Sequence, residues 1–303
     1  MRTTLLLAGA YHILFAAWAN IWPGHAFDML GIPHPNHPML WRTLGLISGA
    51  VGFALLIASA DPIRHWLIVL LGFAKSVATT LIVAFDVSAG LLPAASLLFL
   101  PLDDLVWLLP FGAILWATLQ AHMGIPITRS EPYTVEEAAA IYRLSTGENL
   151  AEASAKRPLV LVFLRHFGCT FTRQILRGLQ DLEQHAKAHD ATLVLIHMLQ
   201  SGKEIGYLGN HSEIPRIADP RCELYRAFGL GKAGFIELFG PRVWWRVMIS
   251  VFKGCGIGHL AGDGMQMPGA FIFHEGKVVS SQPARTAADL PDLAALFNPA
   301  PIV

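Results

Sequence analysis

The sequence predicts two parts of different architecture: an all-α transmembrane bundle of four helices, followed by an α/β domain. Three observations support this division. The 303 residues are 53% hydrophobic and 15% charged, whereas soluble domains are about a quarter charged. Only nine of the 22 basic and 22 acidic side chains lie in residues 1–125. From about residue 158, short apolar runs alternate with helical patterns, as they do in α/β domains.

Four segments of the first part are long and apolar enough to cross a bilayer, which takes about 20 residues. The predicted spans are residues 3–22, 39–60, 65–87 and 104–122. Pro93, Pro101 and Pro110 interrupt the stretch 91–122. We therefore expect a re-entrant or interfacial piece before the fourth span.

Basic residues beside the spans predict the orientation, because they favour the cytoplasmic side. Arg2, Arg64 and Arg129 fall on one side of the expected bundle, and Arg42 on the other. The majority predicts a multi-pass integral membrane protein with both termini and the C-terminal domain in the cytoplasm. An alternative treats residues 1–19 as a cleaved signal peptide, which also leaves that domain cytoplasmic.

Lys75, Asp103 and Asp104 are ionisable residues at membrane depth, where an isolated charge is costly. One interpretation is a proton or ion path, or a site for a lipid or quinone head group. The other is an ion pair that locks the third and fourth spans together. As a whole, this part loosely resembles small four-helix membrane proteins of the DoxX-like kind.

Residues 126–156 are more polar and are expected to form a linker. Within it, residues 134–144 have an amphipathic helical pattern. Glu136 and Glu137 lie in its first turn, where the helix dipole favours acidic side chains. We expect this segment to hold a folded domain close to the bilayer.

The predicted domain spans residues 157–303. Its first run, residues 159–164, is continuously apolar, which is typical of a central strand buried on both faces. The elements that follow are a helix at 170–188, a strand at 192–197, a short strand at 214–218, a helix at 221–228, a hairpin of 270–273 with 277–281, and a closing helix at 287–297. This is the order of a thioredoxin-type α/β layer.

The cysteines and the net charge exclude some classes of protein. Cys169, Cys222 and Cys255 are far apart and form no C-x-x-C pair, so neither a disulfide framework nor a zinc site is expected. Free thiols indicate a reducing compartment. The formal net charge is zero, so nothing indicates binding to nucleic acid.

Three segments of the second part carry a family resemblance. Residues 163–172 read FLRHFGCTFT, residues 219–230 contain an Asp-Pro pair and YRAFGL, and residues 266–269 read QMPG. Together they resemble the peroxiredoxin-like (AhpC/TSA, selenoprotein-L-like) branch of the thioredoxin superfamily, over about residues 155–297. The resemblance implies a thioredoxin-like fold and reduction of peroxides by a cysteine.

Cys169 is the expected nucleophile. It lies where a strand gives way to a helix, and the positive end of the helix dipole favours the thiolate. Arg165 and Arg173, four residues to either side, add positive potential. Thr172 stands where family members often have a second cysteine, and its hydroxyl is expected to contact the sulfur or a bound peroxide. The resemblance therefore implies a one-cysteine peroxidase. The alternative is that Cys169 is a small buried apolar residue.

Other residues are expected to complete the site. Pro268 resembles the cis-proline that lies beside the cysteine in thioredoxin folds, and Phe167 and Gly168 are expected to contact substrate with it. Cys255 and Cys222 are candidate resolving thiols.

An insertion between residues 229 and 265 contains a cationic helix with Trp244 and Trp245. Such a helix is typical of a membrane interface; the alternative is packing against the sheet.

The expected function is that of a membrane-anchored, peroxiredoxin-like thiol oxidoreductase that reduces organic or lipid hydroperoxides through Cys169. Its expected partners are the lipid bilayer, the hydroperoxide and a thiol reductant such as a thioredoxin or a low-molecular-weight thiol; no metal or other cofactor is expected. The alternative is a membrane transporter or quinone-linked protein whose thioredoxin-like domain senses redox state.

Overall fold

The chain forms two compact units, Met1–His122 and Met123–Val303. The computed structural model describes residues 1–31, 33–34, 36–98 and 100–298, apart from the side chains of Leu30, Leu102, Asp103 and Asn210. The prediction for the Asp103 side chain lies outside these described parts.

The first unit is helical. Its helices are α1 (Arg2–Ile21), α2 (His25–Leu30), α3 (Pro38–Ala58), α4 (Trp66–Ser88) and α5, which runs on into the second unit (Val106–Met123). All but α2 are long and apolar enough to cross a membrane, and their ends lie within two residues of the predicted spans. A 3-10 turn (Ala94–Leu98) and a π-helical turn (Pro101–Leu105) precede α5, in the segment where a re-entrant piece was expected.

Small residues bring α1 and α3 into close contact. A Cβ atom added at Gly52 would lie 2.7 Å from the carbonyl oxygen of Gly9, and one added at Gly49 would lie 2.7 Å from the Cβ of Ala16. In lipid the hydrophobic effect does not drive helices together. Close packing of their backbones is therefore a main source of the association between helices.

Lys75 on α4 contacts the π-helical turn. Its Nζ lies 2.9 Å from Oδ1 of Asp104, whose side chain is 1% exposed. This is the ion pair between the third span and the start of the fourth that the sequence offered as one interpretation. The pair can form because the chain turns back before α5.

The second unit contains a five-stranded mixed sheet. Its strands are β1 (Leu159–Phe163), β2 (Thr192–His197), β3 (Arg216–Ala218), β4 (Gly269–His274) and β5 (Lys277–Pro283), in the order β3-β2-β1-β4-β5. β1 pairs in parallel with β2 and antiparallel with β4. All five residues of β1 are buried, as expected of a central strand.

Helices cover both faces of the sheet. They are α6 (Val135–Ile141), α7 (Leu150–Lys156), α8 (Thr170–Arg177), α9 (Leu179–Ala188), α10 (Ile205–Leu208), α11 (Glu223–Ala227), α12 (Phe235–Phe239), α13 (Pro241–Phe252) and α14 (Leu293–Phe297). Because side chains alternate along a strand, Leu161 and Phe163 face the core under α6, α7 and α11, whereas Val160 and Val162 face the core under α8, α9 and α14. A mixed sheet with these helices fits a thioredoxin-like domain.

The structure differs from three of the expected elements. The closing helix expected at 287–297 is shorter, because α14 begins only at Leu293. Residues 126–156, expected to be a linker, belong to the second unit: Ala138, Leu150 and Ala153 of α6 and α7 are buried in its core. The expected helix 170–188 is two helices, α8 and α9, which meet at Gly178.

Candidate functional site

The site begins where β1 ends. The hydroxyl of Tyr225, on α11, donates hydrogen bonds to the carbonyl oxygens of Leu164 (2.6 Å) and Ile196 (3.0 Å), and so holds the ends of β1 and β2 together. Asp219 fixes α11 by accepting hydrogen bonds from the backbone N–H groups of Glu223, Leu224 and Tyr225. Asp219 therefore caps α11 and so positions Tyr225. Tyr225 holds the end of β1, and the chain runs from that end to α8.

Cys169 is the N-cap residue of α8. The first N–H groups of a helix have no partner within the helix, and they give its N-terminus a partial positive charge. Nη1 of Arg165 donates a hydrogen bond to Sγ of Cys169 at 3.3 Å. Cys169 therefore stands at the N-terminus of a helix, and its sulfur accepts a hydrogen bond from a guanidinium.

Arg165 is itself held in place. Its Nη2 and Nε donate to the carbonyl oxygens of Gly264 (2.5 Å) and Gln266 (3.3 Å), and its side chain is buried. The guanidinium fork therefore joins Cys169 to the segment 264–266, which leads to β4. Two of the segments that carried the sequence resemblance meet through this one side chain.

Thr172, in the first turn of α8, is fully buried. Within the described part of the chain its hydroxyl has no hydrogen-bond partner. A buried hydroxyl without a partner is able to donate a hydrogen bond to a bound oxygen atom.

The backbone of a loop lies against the start of α8. The carbonyl oxygen of Gly168 accepts a hydrogen bond from the N–H of Gly258 (3.0 Å). A Cβ atom at Gly168 would lie 2.0 Å from the carbonyl oxygen of His259. Glycine is required at position 168 because the two backbones approach so closely. The predicted contact of Gly168 with substrate remains a prediction.

Helix α13 covers the cysteine. Val243 of α13 forms one buried cluster with Cys169, Phe171 and Ala288, and Val247 packs against it. Cys169 is only 7% exposed. The sequence predicted a cationic helix here, either at a membrane interface or packed against the sheet, but not that its inner face packs over the site.

A groove of about 730 Å³ lies between α8, α9, α13 and the segment before α14. Phe171 and Ala288, from the cluster around Cys169, are among the residues that line it. Its other lining side chains are almost evenly divided between apolar and polar ones, and the polar set is Gln174, Asp181, His185, Arg246, Ser250 and Asp292. The groove is therefore suited to an organic ligand that has both apolar and polar parts.

Residues 179–282 match a family model described as AhpC/TSA antioxidant enzyme. The match begins after Cys169, so it covers β2, β3, β4, most of β5 and the 266–269 segment, but neither the central strand β1 nor the cysteine. It supports a peroxiredoxin-like assignment of the C-terminal half. The DoxX-like resemblance of the first unit is not confirmed and stays a prediction.

Solved structures similar to this chain include three peroxiredoxins. Peroxiredoxin Q of Xanthomonas campestris is 17% identical, with 55% of this chain and 88% of that chain covered and a TM-score of 0.33. A PrxQ variant of Xylella fastidiosa is 15% identical (56% and 89% covered, TM-score 0.33), and a peroxiredoxin 6 variant of Arenicola marina is 17% identical (57% and 71% covered, TM-score 0.35). Similarities this weak say nothing of function. No curated protein sequence matches the chain.

The other predicted site residues of the peroxiredoxin-like unit lie in different settings. No cis peptide bond occurs among the described residues, so the expectation of a cis bond before Pro268 is wrong. The N–H of Met267 instead bonds to the carbonyl oxygen of Gly231. The ring of Phe167 is buried and stacks on that of Tyr207 at 4.6 Å, which makes it part of the core. 

The guanidinium of Arg173 lies beside the loop that covers α8. Gly256 and Gly258 of that loop are its neighbours. The hydrogen bond to Cys169 thus comes from Arg165, and Arg173 supports the loop.

The two remaining cysteines differ from each other. Cys222 lies in the core on the sheet face away from α8, and burial raises the pKa of its thiol far above the usual value. Cys255 is buried, and Nη1 of Arg177 donates to its Sγ at 3.3 Å. Arg177 also donates to the carbonyl oxygens of Lys253 and Gly254. This arrangement repeats that of Arg165 at Cys169. No local sequence pattern predicted it, because residues 177 and 255 are distant along the chain.

Two histidines near the site are neutral at pH 7. Burial, reinforced by the charge of Arg165, lowers the pKa of His166 to about 4. Burial also lowers the pKa of His197 to about 4. Neither carries a positive charge that would compete with Arg165.

Proposed function

We propose that this chain is a membrane-anchored thiol peroxidase that reduces organic hydroperoxides through Cys169. The observation that carries the proposal is the hydrogen bond from Arg165 to Sγ of Cys169 at the N-terminus of α8. The AhpC/TSA match of the same unit agrees with it.

The reaction follows from the chemistry of the sulfur. The Cys169 thiolate attacks the terminal oxygen of ROOH, the O–O bond breaks, and a proton gives ROH, leaving Cys169 as a sulfenic acid. A reductant thiol then displaces water to form a mixed disulfide, and a second thiol releases Cys169 and leaves as a disulfide. In this proposal Arg165 stabilises the thiolate, and the buried Thr172 hydroxyl, which has no partner among the described residues, donates a hydrogen bond to the peroxide. No step requires a cofactor.

The test compares the full chain in detergent or nanodiscs with its Cys169→Ser variant. We expect the wild type to consume cumene hydroperoxide in the presence of thioredoxin or dithiothreitol, and the variant to lose this activity. The Lys75→Leu variant should retain it, because the ion pair serves only the first unit. Undiminished activity of Cys169→Ser would refute the proposal, whereas loss of activity in a folded Lys75→Leu variant would favour the transporter or quinone-linked alternative.

The proposed anchor is the set of four apolar helices, and the basic residues beside them support a cytoplasmic C-terminal domain. Protease added to inverted membrane vesicles should digest residues 124–303 and leave the spans. Protection of the domain in inverted vesicles, and digestion in spheroplasts, would place it on the opposite side.

A further inference from the structure

We propose that the outer face of α13 lies in the headgroup region of an anionic lipid bilayer. The inference rests on the proposed function, which supplies the bilayer, and it extends that function by naming the source of the substrate. It predicts that acyl hydroperoxides of the bilayer are the substrate class.

The two faces of α13 have opposite surroundings. Val243, Val247 and Ser250 recur at helical spacing and face inward: the valines pack at the Cys169 cluster, and the Ser250 hydroxyl donates to Oε1 of Gln174 on α8 (3.0 Å). The helix is therefore fixed on the domain by its inner face. Its position does not depend on what its outer face touches.

The outer face is apolar and exposed. Its large side chains are Trp244 (61% exposed), Trp245 (66%), Met248 (50%) and Phe252 (86%). Soluble proteins seldom expose such a continuous patch without a partner. Tryptophan is enriched where a membrane meets water, since its ring is apolar and its N–H is polar.

The charged side chains around α13 indicate which kind of surface its outer face binds. Residues 240–258 contain three basic side chains, Arg242, Arg246 and Lys253, and no acidic one. Arg242 and Arg246 share Asp289 (3.6 and 3.4 Å), which leaves a positive excess. An apolar face flanked by basic groups complements anionic headgroups above acyl chains.

The chain connects this unit directly to the last of the long apolar helices. α5 ends at Met123, and Met123 and Ile125 are already hydrogen-bonded within the second unit, to Gly264 and Asp263. A domain joined so directly to a membrane span meets lipid more often than any soluble partner, because tethering raises the effective concentration.

The consequence for substrate comes from the groove whose lining includes two residues of the buried cluster around Cys169. Arg246, Ile249 and Ser250 of α13 form part of its wall. A helix seated in the headgroup region thus borders both the lipid and the cavity that reaches the Cys169 cluster. An oxidised acyl chain can then enter from the bilayer without crossing water.

The experiment uses the full chain in nanodiscs of phosphatidylglycerol and phosphatidylcholine that contain a phospholipid with a diazirine near its headgroup. After photolysis, mass spectrometry maps the labelled peptides. We expect label in residues 243–253 as well as at the ends of the spans. Trp244→Glu with Trp245→Glu should reduce labelling of 243–253 more than about fivefold, and Arg242→Gln should reduce it about fivefold at most.

The matched control is Val279→Glu, which changes another exposed apolar side chain (63%), on β5, and should leave the labelling unchanged. Label at the spans but none at 243–253 would overturn the inference and leave the membrane anchor intact. Label nowhere in the chain would instead remove the anchor on which it rests. Cross-linking of two chains through Met248→Cys, in place of lipid labelling, would assign the face to a second copy and also overturn the inference.

Discussion

Replacing Arg165 by Met tests how the site activates its cysteine. The substitution removes one hydrogen bond to Sγ of Cys169 (3.3 Å) and two to the carbonyl oxygens of the 264–266 segment. A hydrogen bond to a charged group contributes about 1.5–3 kcal/mol, which corresponds to roughly 10- to 150-fold in an equilibrium. We expect the alkylation of Cys169 by iodoacetamide at pH 7 to slow by a factor in this range, because the thiolate is the reactive form.

The chain supplies its own matched control. Arg177→Met removes the same three kinds of contact, one to the sulfur of Cys255 and two to backbone carbonyls, and should leave the rate at Cys169 within about twofold, well below the effect of a lost charged hydrogen bond. Arg165→Lys keeps the charge without the fork and should be intermediate. Two results would refute the role of Arg165. One is alkylation of Cys169 in Arg165→Met at the wild-type rate, and the other is an equally slow alkylation of Cys169 in Arg177→Met.

Three further predictions concern the support of the site. Gly168→Ala should displace the covering loop, because the new Cβ would lie 2.0 Å from the His259 carbonyl oxygen; a faster exchange of loop amides, with less peroxidase activity, checks this, and unchanged exchange would contradict it. The depressed pKa values of His166 and His197, about 4 against 6.5 in the unfolded chain, mean that the unfolded state takes up protons first as the pH falls. The free energy of unfolding should therefore drop by about 3 kcal/mol per histidine between pH 6.5 and 4, which hydrogen exchange of β1 and β2 amides measures; a flat profile would be inconsistent with neutral buried histidines. Asp219→Asn should cost about 3 kcal/mol, since an amide cannot accept the same set of N–H bonds, and chemical denaturation that shows no loss would mean that the cap is dispensable.

The elements that the sequence predicted well are those with a strong local signal. β1 and β2 are continuous apolar runs, and central strands need such runs because both faces are buried. The hairpin turn at Glu275 and Gly276 is another: both residues have positive φ values, 50° and 74°, as two-residue hairpin turns require. The four long apolar helices also follow from length and composition; their crossing of a membrane stays a prediction.

The features that the sequence did not predict depend on contacts between residues that are far apart along the chain. Residues 126–156 have the polar composition of a linker. Their apolar side chains nevertheless pack into the hydrophobic core beneath α6 and α7. The pairing of Arg177 with Cys255 and the position of α13 over Cys169 join residues more than 70 positions apart. No local pattern encodes such contacts. Arg165 was predicted as a site residue because it lies four residues before Cys169 in the sequence. The hydrogen bond from its guanidinium to the carbonyl oxygen of Gly264 was not predicted.

The most direct measurement of the central claim is a map of oxidised cysteine in the full chain. The protein in nanodiscs is treated with one equivalent of a hydroperoxide and then with dimedone, and each cysteine is examined by mass spectrometry. We expect a dimedone adduct on Cys169 that forms as the hydroperoxide disappears, and no adduct on Cys222. Full consumption of the hydroperoxide with an unmodified Cys169, or an adduct on Cys255 alone, would contradict it.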